Sequence, residues 1–138
     1  MTRALVWVTP TGWEACIDAA RELGAEVTLL SVADEGPEPG RMLGRHHHRH
    51  PRPPIAADDE LLDAAAERLG RDAERLSPPG KPEHAVVDAA AEFDLLIVSR
   101  TNLRPGPHSL GHATRFVVDH APCSLLVVWP GTEGPQPV

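Results

Sequence analysis

The sequence predicts a doubly wound α/β domain, with one mostly parallel sheet forming the middle of a three-layer α/β/α sandwich. Three observations carry that expectation. Short, nearly continuous apolar runs at Ala4–Val8, Val27–Val32, Leu95–Val98 and Leu125–Trp129 read as strands covered on both faces. Stretches of helical periodicity lie between these runs, so strands and helices alternate. Two strands joined by one helix form a βαβ unit, whose strands run parallel and whose crossover is right-handed. The 138 residues make one domain with a single core. It is placed at residues 1–130, with 33–57 an irregular His/Arg/Pro-rich loop and 131–138 a flexible tail.

After the first strand, Thr11–Gly12–Trp13–Glu14 reads as a capping box, with Thr11 as N-cap and Glu14 three positions on. The helix continues through Ala15, Cys16, Ala19, Ala20 and Leu23, and Gly24 ends it. Val27–Val32 is the second strand. The stretch that follows, Ala33 to Pro54, is punctuated by Gly36, Pro37, Pro39, Gly40, Gly44, Pro51, Pro53 and Pro54. It is expected to be a long surface loop.

Asp58 to Leu76 reads as a helix whose apolar stripe is Leu61, Leu62, Ala65, Leu69, Ala73 and Leu76. Ser77–Pro78–Pro79–Gly80 breaks it. Pro82 suits the first turn of another helix, through Ala85, Val86, Ala89 and Ala90. A third strand belongs between these two helices, where almost no room remains, so it is expected to be shortened or missing. Leu95–Val98 leads through a polar loop into a helix opening at Ser109–Leu110–Gly111, and a last buried strand follows. A strand feeding a helix N-terminus through a loop makes an anion site, because the first N–H groups of a helix lack partners.

The segments Ala4–Thr9, Gly80-x-Pro82, Asp94–Val98 and Gly111 through Val128, with His120–Ala121–Pro122–Cys123–Ser124 before the last strand, resemble the universal stress protein (UspA-like) family. The resemblance covers nearly the whole chain. It implies a five-stranded parallel sheet of Rossmann-like, adenine nucleotide alpha hydrolase-like type, a cytoplasmic stress-response or regulatory role, and dimers formed along the last strand. The nucleotide-binding branch holds ATP between the first and fourth strands, where open α/β sheets bind ligands.

Carried over residue by residue, the resemblance implies a degenerate nucleotide motif. The acidic residue that ends the family's first strand is Thr9 here. Anchored on Gly111, the two earlier motif glycines fall at Val98 and Thr101, and the final hydroxyl position is His112. Glycine serves where the backbone needs positive φ or must approach a phosphate, and β-branched Val and Thr resist both. ATP binding is therefore expected to be weak or absent. Gly106-x-x-x-x-Gly111 has P-loop glycine spacing, but His112–Ala113 replaces the Lys–Ser/Thr pair.

Residual anion affinity has named candidates. Ser99, Arg100, Thr101 and Arg104 lie on the loop, Ser109 can cap the helix, and the N–H groups at 110 to 112 are free to donate. The plainer alternative makes the arginines solvated charges and Ser109 only a cap. A second functional reading rests on Arg45–His46–His47–His48–Arg49–His50. The imidazoles of His46, His47, His48 and His50 supply nitrogen ligands suited to Zn²⁺ or Ni²⁺, against the alternative of a basic loop. No cofactor is obligatory; a weakly bound nucleotide or other anion, and Zn or Ni on the histidine loop, are the candidates.

Other classes are disfavoured. A net charge of −7 argues against nucleic acid as the partner. No apolar run approaches the roughly 20 residues of a membrane span, and no charged-then-apolar leader pattern opens the chain. No Ser–His–Asp grouping, paired carboxylates or HExxH motif suggests an enzyme. His84, His108 and His120 show no ligand spacing. Trp7 and Trp129 read as core or interface residues, and Cys16 and Cys123 as a reduced pair. The expected partner is a second copy, paired along Ser124–Trp129, since that run otherwise forms an edge liable to pair. A regulatory partner protein is a further expectation.

Overall fold

The computed structural model describes residues 2–32, 54–101, 105–106 and 109–130. Among the described residues, five strands and four helices alternate: β1 (Arg3–Trp7), α1 (Trp13–Leu23), β2 (Glu26–Leu30), α2 (Pro54–Leu69), β3 (Glu74–Leu76), α3 (Pro82–Ala90), β4 (Leu95–Ser99), α4 (Gly111–His120) and β5 (Ser124–Val128). The strands form one sheet in the order β3-β2-β1-β4-β5, and every pairing is parallel. The chain steps from β1 out to β3 on one side and returns to β4 on the other. β1 and β4 are therefore neighbours at the point where the direction of winding reverses, in register Ala4↔Leu95, Leu5↔Leu96 and Val6↔Ile97.

Strand alternation divides the core between the two sheet faces. Ala4, Val6, Val8, Val27, Leu29 and Ile97 pack with Cys16, Ile17 and Ala20 of α1 and with Leu62, Ala65 and Leu69 of α2. Leu5, Trp7, Leu30, Leu96 and Val98 pack on the opposite face with Val86 and Ala90 of α3 and Val117 of α4. Each fully buried Leu or Ile contributes roughly 1.5–3 kcal/mol by leaving water, and most of these side chains are completely buried. Trp7 is thus a core residue, as read from the sequence. Cys16 belongs to the first face and Cys123 packs against the second, so the sheet separates the two free thiols. Burial, with Glu14's charge adding to it, pushes the Cys16 thiol up to about 12.

Two expectations about element boundaries are corrected. Thr11 does not cap α1. Gly12 is the N-cap, at φ 88, and no side chain caps the helix, so the chain turns one residue later than the capping box requires. The second helix starts at Pro54 and ends at Leu69; it does not run from Asp58 to Leu76. The Gly70 amide closes it by donating to the Ala66 and Glu67 carbonyls. Ala73 and Leu76 then diverge to opposite faces of the sheet, Ala73 against the α1/α2 core and Leu76 against the α3/α4 core, as strand geometry demands. The third strand exists, shortened to three residues on the sheet edge and paired Thr28↔Glu74 to Leu30↔Leu76. Arg75 Nη1 reaches back to Asp63 of α2 at 2.6 Å.

The N-terminal end of the β1–β4 pair is tied down. The Arg3 amide donates to Asp94 Oδ2 at 3.0 Å, and the Asp94 amide donates to the Arg3 carbonyl at 2.9 Å. The Arg3 guanidinium lies 4.7 Å from the centre of the Phe93 ring. With that end fixed, the C-terminal ends of β1 and β4 are the positions from which loops can build a site.

Candidate functional site

Three chain segments meet at the C-terminal ends of β1, β4 and β5. The first is the turn after β1, from Thr9 to Gly12. Thr9 Oγ1 donates to the Thr11 carbonyl at 3.0 Å, which tightens the turn. Gly12 follows in the left-handed region, and the space for a side chain there is already taken. A Cβ on Gly12 would fall on Ser99 Oγ, lie 2.6 Å from Ser99 Cβ, and lie 3.0 Å from the Cβ of Pro130. Glycine is required here both for conformation and for close approach.

The second segment leaves β4. Val98 is buried in the α3/α4 core, so its side chain serves packing. Ser99 is also buried; its Oγ lies 2.9 Å from the Thr11 carbonyl and 3.2 Å from the Arg100 carbonyl. The first contact crosses directly from the end of β4 to the loop after β1, joining the two walls of the crevice. The Arg100 amide extends the β4–β5 ladder by donating to the Val128 carbonyl. Its guanidinium donates through Nη1 to Ser109 Oγ at 2.8 Å and sits 4.7 Å from the centre of the Trp129 ring. The Arg100 guanidinium is thus engaged by a hydroxyl and an aromatic face.

Thr101 closes the start of α4. Its amide donates to the Ser109 carbonyl at 2.7 Å, and its Oγ1 donates to the Leu110 carbonyl at 2.6 Å. Gly111 has φ +72, and a Cβ there would meet Thr101 Oγ1 at 2.9 Å and Thr101 Cβ at 3.2 Å. Thr101 and Gly111 thus stand face to face, with threonine's side chain filling the space beside the glycine. Ser109 does not cap the helix. Leu110 is the N-cap and no side-chain cap hydrogen bond is made there; the Ser109 hydroxyl is turned to Arg100 instead.

The structure brings together Thr9, Ser99, Arg100, Thr101, Ser109 and Gly111, places Val98 in the core and leaves His112 exposed. Arg104, His108 and the histidines His46, His47, His48 and His50 lie outside the described residues. Among the described residues, no group of three or more His, Cys, Asp or Glu side chains could hold a metal. His84 and His120 flank the ring of Phe116, at 4.7 and 4.1 Å between ring centres, and His120 Nδ1 is 2.8 Å from the Phe116 carbonyl oxygen. They serve the packing of α3 on α4.

The parts played by Gly12, the Thr11 carbonyl and the Trp129–Pro130 pair were not legible in the sequence. These residues are more than 80 positions from the loop they touch, or on the far side of it, so no local pattern could join them.

A groove of about 320 Å³ lies at the other end of the sheet, lined by Gly24 to Thr28 and Arg71 to Glu74. It adjoins the N-terminal ends of β2 and β3, and Arg71 donates into it to the Ala25 carbonyl. Open α/β sheets place their ligands at the opposite, C-terminal ends, so the crevice beside Thr9 and Ser99 is the better candidate.

A five-stranded parallel sheet, helices on both faces and a crevice at the winding reversal define an α/β domain of nucleotide-binding type. The sequence model of the universal stress protein family matches residues 12–128, and the chain belongs to that family. Among solved structures, it resembles a universal stress protein in complex with cAMP, at 21% identity and TM-score 0.64, over 94% of this chain and 98% of the other. The universal stress protein UspA from Lactobacillus plantarum is 26% identical, with TM-score 0.58, over 92% and 97% of the two chains. A universal stress protein family member from Arabidopsis thaliana with AMP bound is 17% identical, with TM-score 0.61, over 96% and 94%. A comparison with curated protein sequences gave no match. No helix among the described residues is long and apolar enough to cross a membrane.

Proposed function

We infer that this chain is a non-catalytic regulatory member of its family, in which the nucleotide crevice has been given over to internal contacts and ATP binding is weak or absent. The observation that carries this reading is the hydrogen bond from Ser99 Oγ toward the Thr11 carbonyl, 2.9 Å across the crevice. Thr101 supports it by filling the space beside Gly111. Two similar structures hold cAMP and AMP, so the fold itself can host a nucleotide. In this chain the phosphate-facing backbone is screened by threonine, and no carboxylate ends β1 to accept from a nucleoside. A weakly held nucleotide or other anion is the most the crevice offers.

The groups present support the non-catalytic part of this reading. The chain's single lysine, Lys81, precedes α3, and phosphoryl transfer needs a cation, a metal ligand and a base gathered around the phosphates. Calorimetric titration with Mg-ATP tests the reading. The expected result is no saturable binding at micromolar nucleotide; a micromolar dissociation constant contradicts it.

The working unit is a homodimer paired through Ser124–Trp129, acting on a regulatory partner protein in the cytoplasm. Among the described residues, β5 is an edge strand bonded to β4, and Leu125 to Val128 stay half-buried along it. An apolar edge of this kind is completed by another strand. Two cysteines held as separate thiols suit a reducing compartment.

A further inference from the structure

After β5 the chain crosses over the end of β4. Trp129 lays its ring against the Arg100 guanidinium, 4.7 Å from centre to Cζ. Pro130 is buried, with its Cβ against the face of Gly12 that also meets Ser99. Two consecutive residues thus touch both walls of the crevice, the loop after β4 through Arg100 and the loop after β1 through Gly12. The ladder bond from the Arg100 amide to the Val128 carbonyl, 3.0 Å, fixes where this crossing begins.

We propose that Trp129–Pro130 is a strap that holds the crevice shut and keeps Arg100 from an anionic ligand. This rests on the reading of the crevice as a residual nucleotide site and adds its regulation. While the strap is seated, the guanidinium has an aromatic face and a hydroxyl as partners. Lifting it removes the ring from Arg100 and the proline from Gly12. The walls are then joined by two contacts fewer, and Arg100 can turn toward a phosphate, the fork geometry of which matches its own. Because the strap continues directly from β5, any partner strand that pairs with this edge acts on residues adjoining it.

The test compares the full chain with Trp129→Ala and with Trp129→Ala/Pro130→Gly, using amide hydrogen exchange and titration with Mg-ATP. Trp129 is 41% exposed, so its single replacement retains the core and serves if the double variant does not fold. The expected result is faster exchange at residues 11–12 and 99–101 with α1 and α3 unchanged. Affinity for Mg-ATP rises by about tenfold or more, and adding Arg100→Ala to Trp129→Ala removes that gain. Unchanged exchange in both loops, or unchanged Mg-ATP affinity in a folded variant, overturns the strap. Tight Mg-ATP binding by the unaltered chain overturns the closed-crevice reading instead, and the exchange comparison still judges the strap on its own.

Discussion

Gly12 concentrates the logic of the site in one position. Its φ of 88 lies in the left-handed region, and the direction its Cβ would take is occupied by Ser99 and Pro130. Gly12→Ala therefore meets backbone strain and a steric conflict with two separate chain segments. It is expected to lower stability by about 1–3 kcal/mol. Chemical denaturation of the two proteins checks this, and an unchanged midpoint contradicts it. The motif arithmetic that assigned Val98, Thr101 and Gly111 to the family's glycine positions was legible from sequence. The consequence was not: Thr101 packs onto Gly111 and binds the Leu110 carbonyl, which depends on a backbone path that spacing cannot specify. Arg100 shows the same limit, because its ring partner Trp129 lies on another strand.

At the scale of elements, α1 and α2 are joined outside the core by a two-pronged pair. Arg68 Nε meets Asp18 Oδ1 and Arg68 Nη2 meets Asp18 Oδ2, both at 2.9 Å. The hydrogen bonds from Arg68 hold the Asp18 carboxyl below its ordinary value of 3.8. A carboxyl whose folded value is depressed contributes stability fully above its unfolded value and loses it as pH falls through the folded one. Both side chains are about half exposed, so solvent screens the pair and its worth is about 0.2–1 kcal/mol. Asp18→Asn should cost that much at pH 7 and nothing in acid below the folded value. A cost that persists undiminished there points to something other than the ion pair.

The elements were legible where hydrophobic period and helix punctuation agreed. Gly24 ends α1 and Pro82 opens α3, as read. They were misread where two periods overlap: Leu69, Ala73 and Leu76 continue a helical stripe, yet Gly70 stops the helix and the next residues change period. The capping box does not form, because Gly12 takes the N-cap position. The Thr11 carbonyl is engaged by Thr9 and lies against Ser99, which a local motif cannot anticipate.

At the scale of the molecule, the fold is that of a family whose solved relatives include nucleotide complexes, while the crevice is crossed by the chain's own contacts. Fold was readable because it is set by alternating apolar runs and crossover handedness. Assembly through β5 is a prediction at this scale. Light scattering at micromolar concentration should give twice the chain mass of 14.9 kDa, and Leu126→Arg on the paired edge should return a monomer. A monomeric unaltered chain contradicts the edge pairing.

Whether the crevice is closed by the chain's own contacts is decided by a crystal structure of the protein purified without added nucleotide. The expected result is an empty crevice, with Ser99 Oγ on the Thr11 carbonyl and Trp129 on Arg100. An adenine nucleotide lodged between the loops after β1 and β4, with those contacts parted, would contradict it.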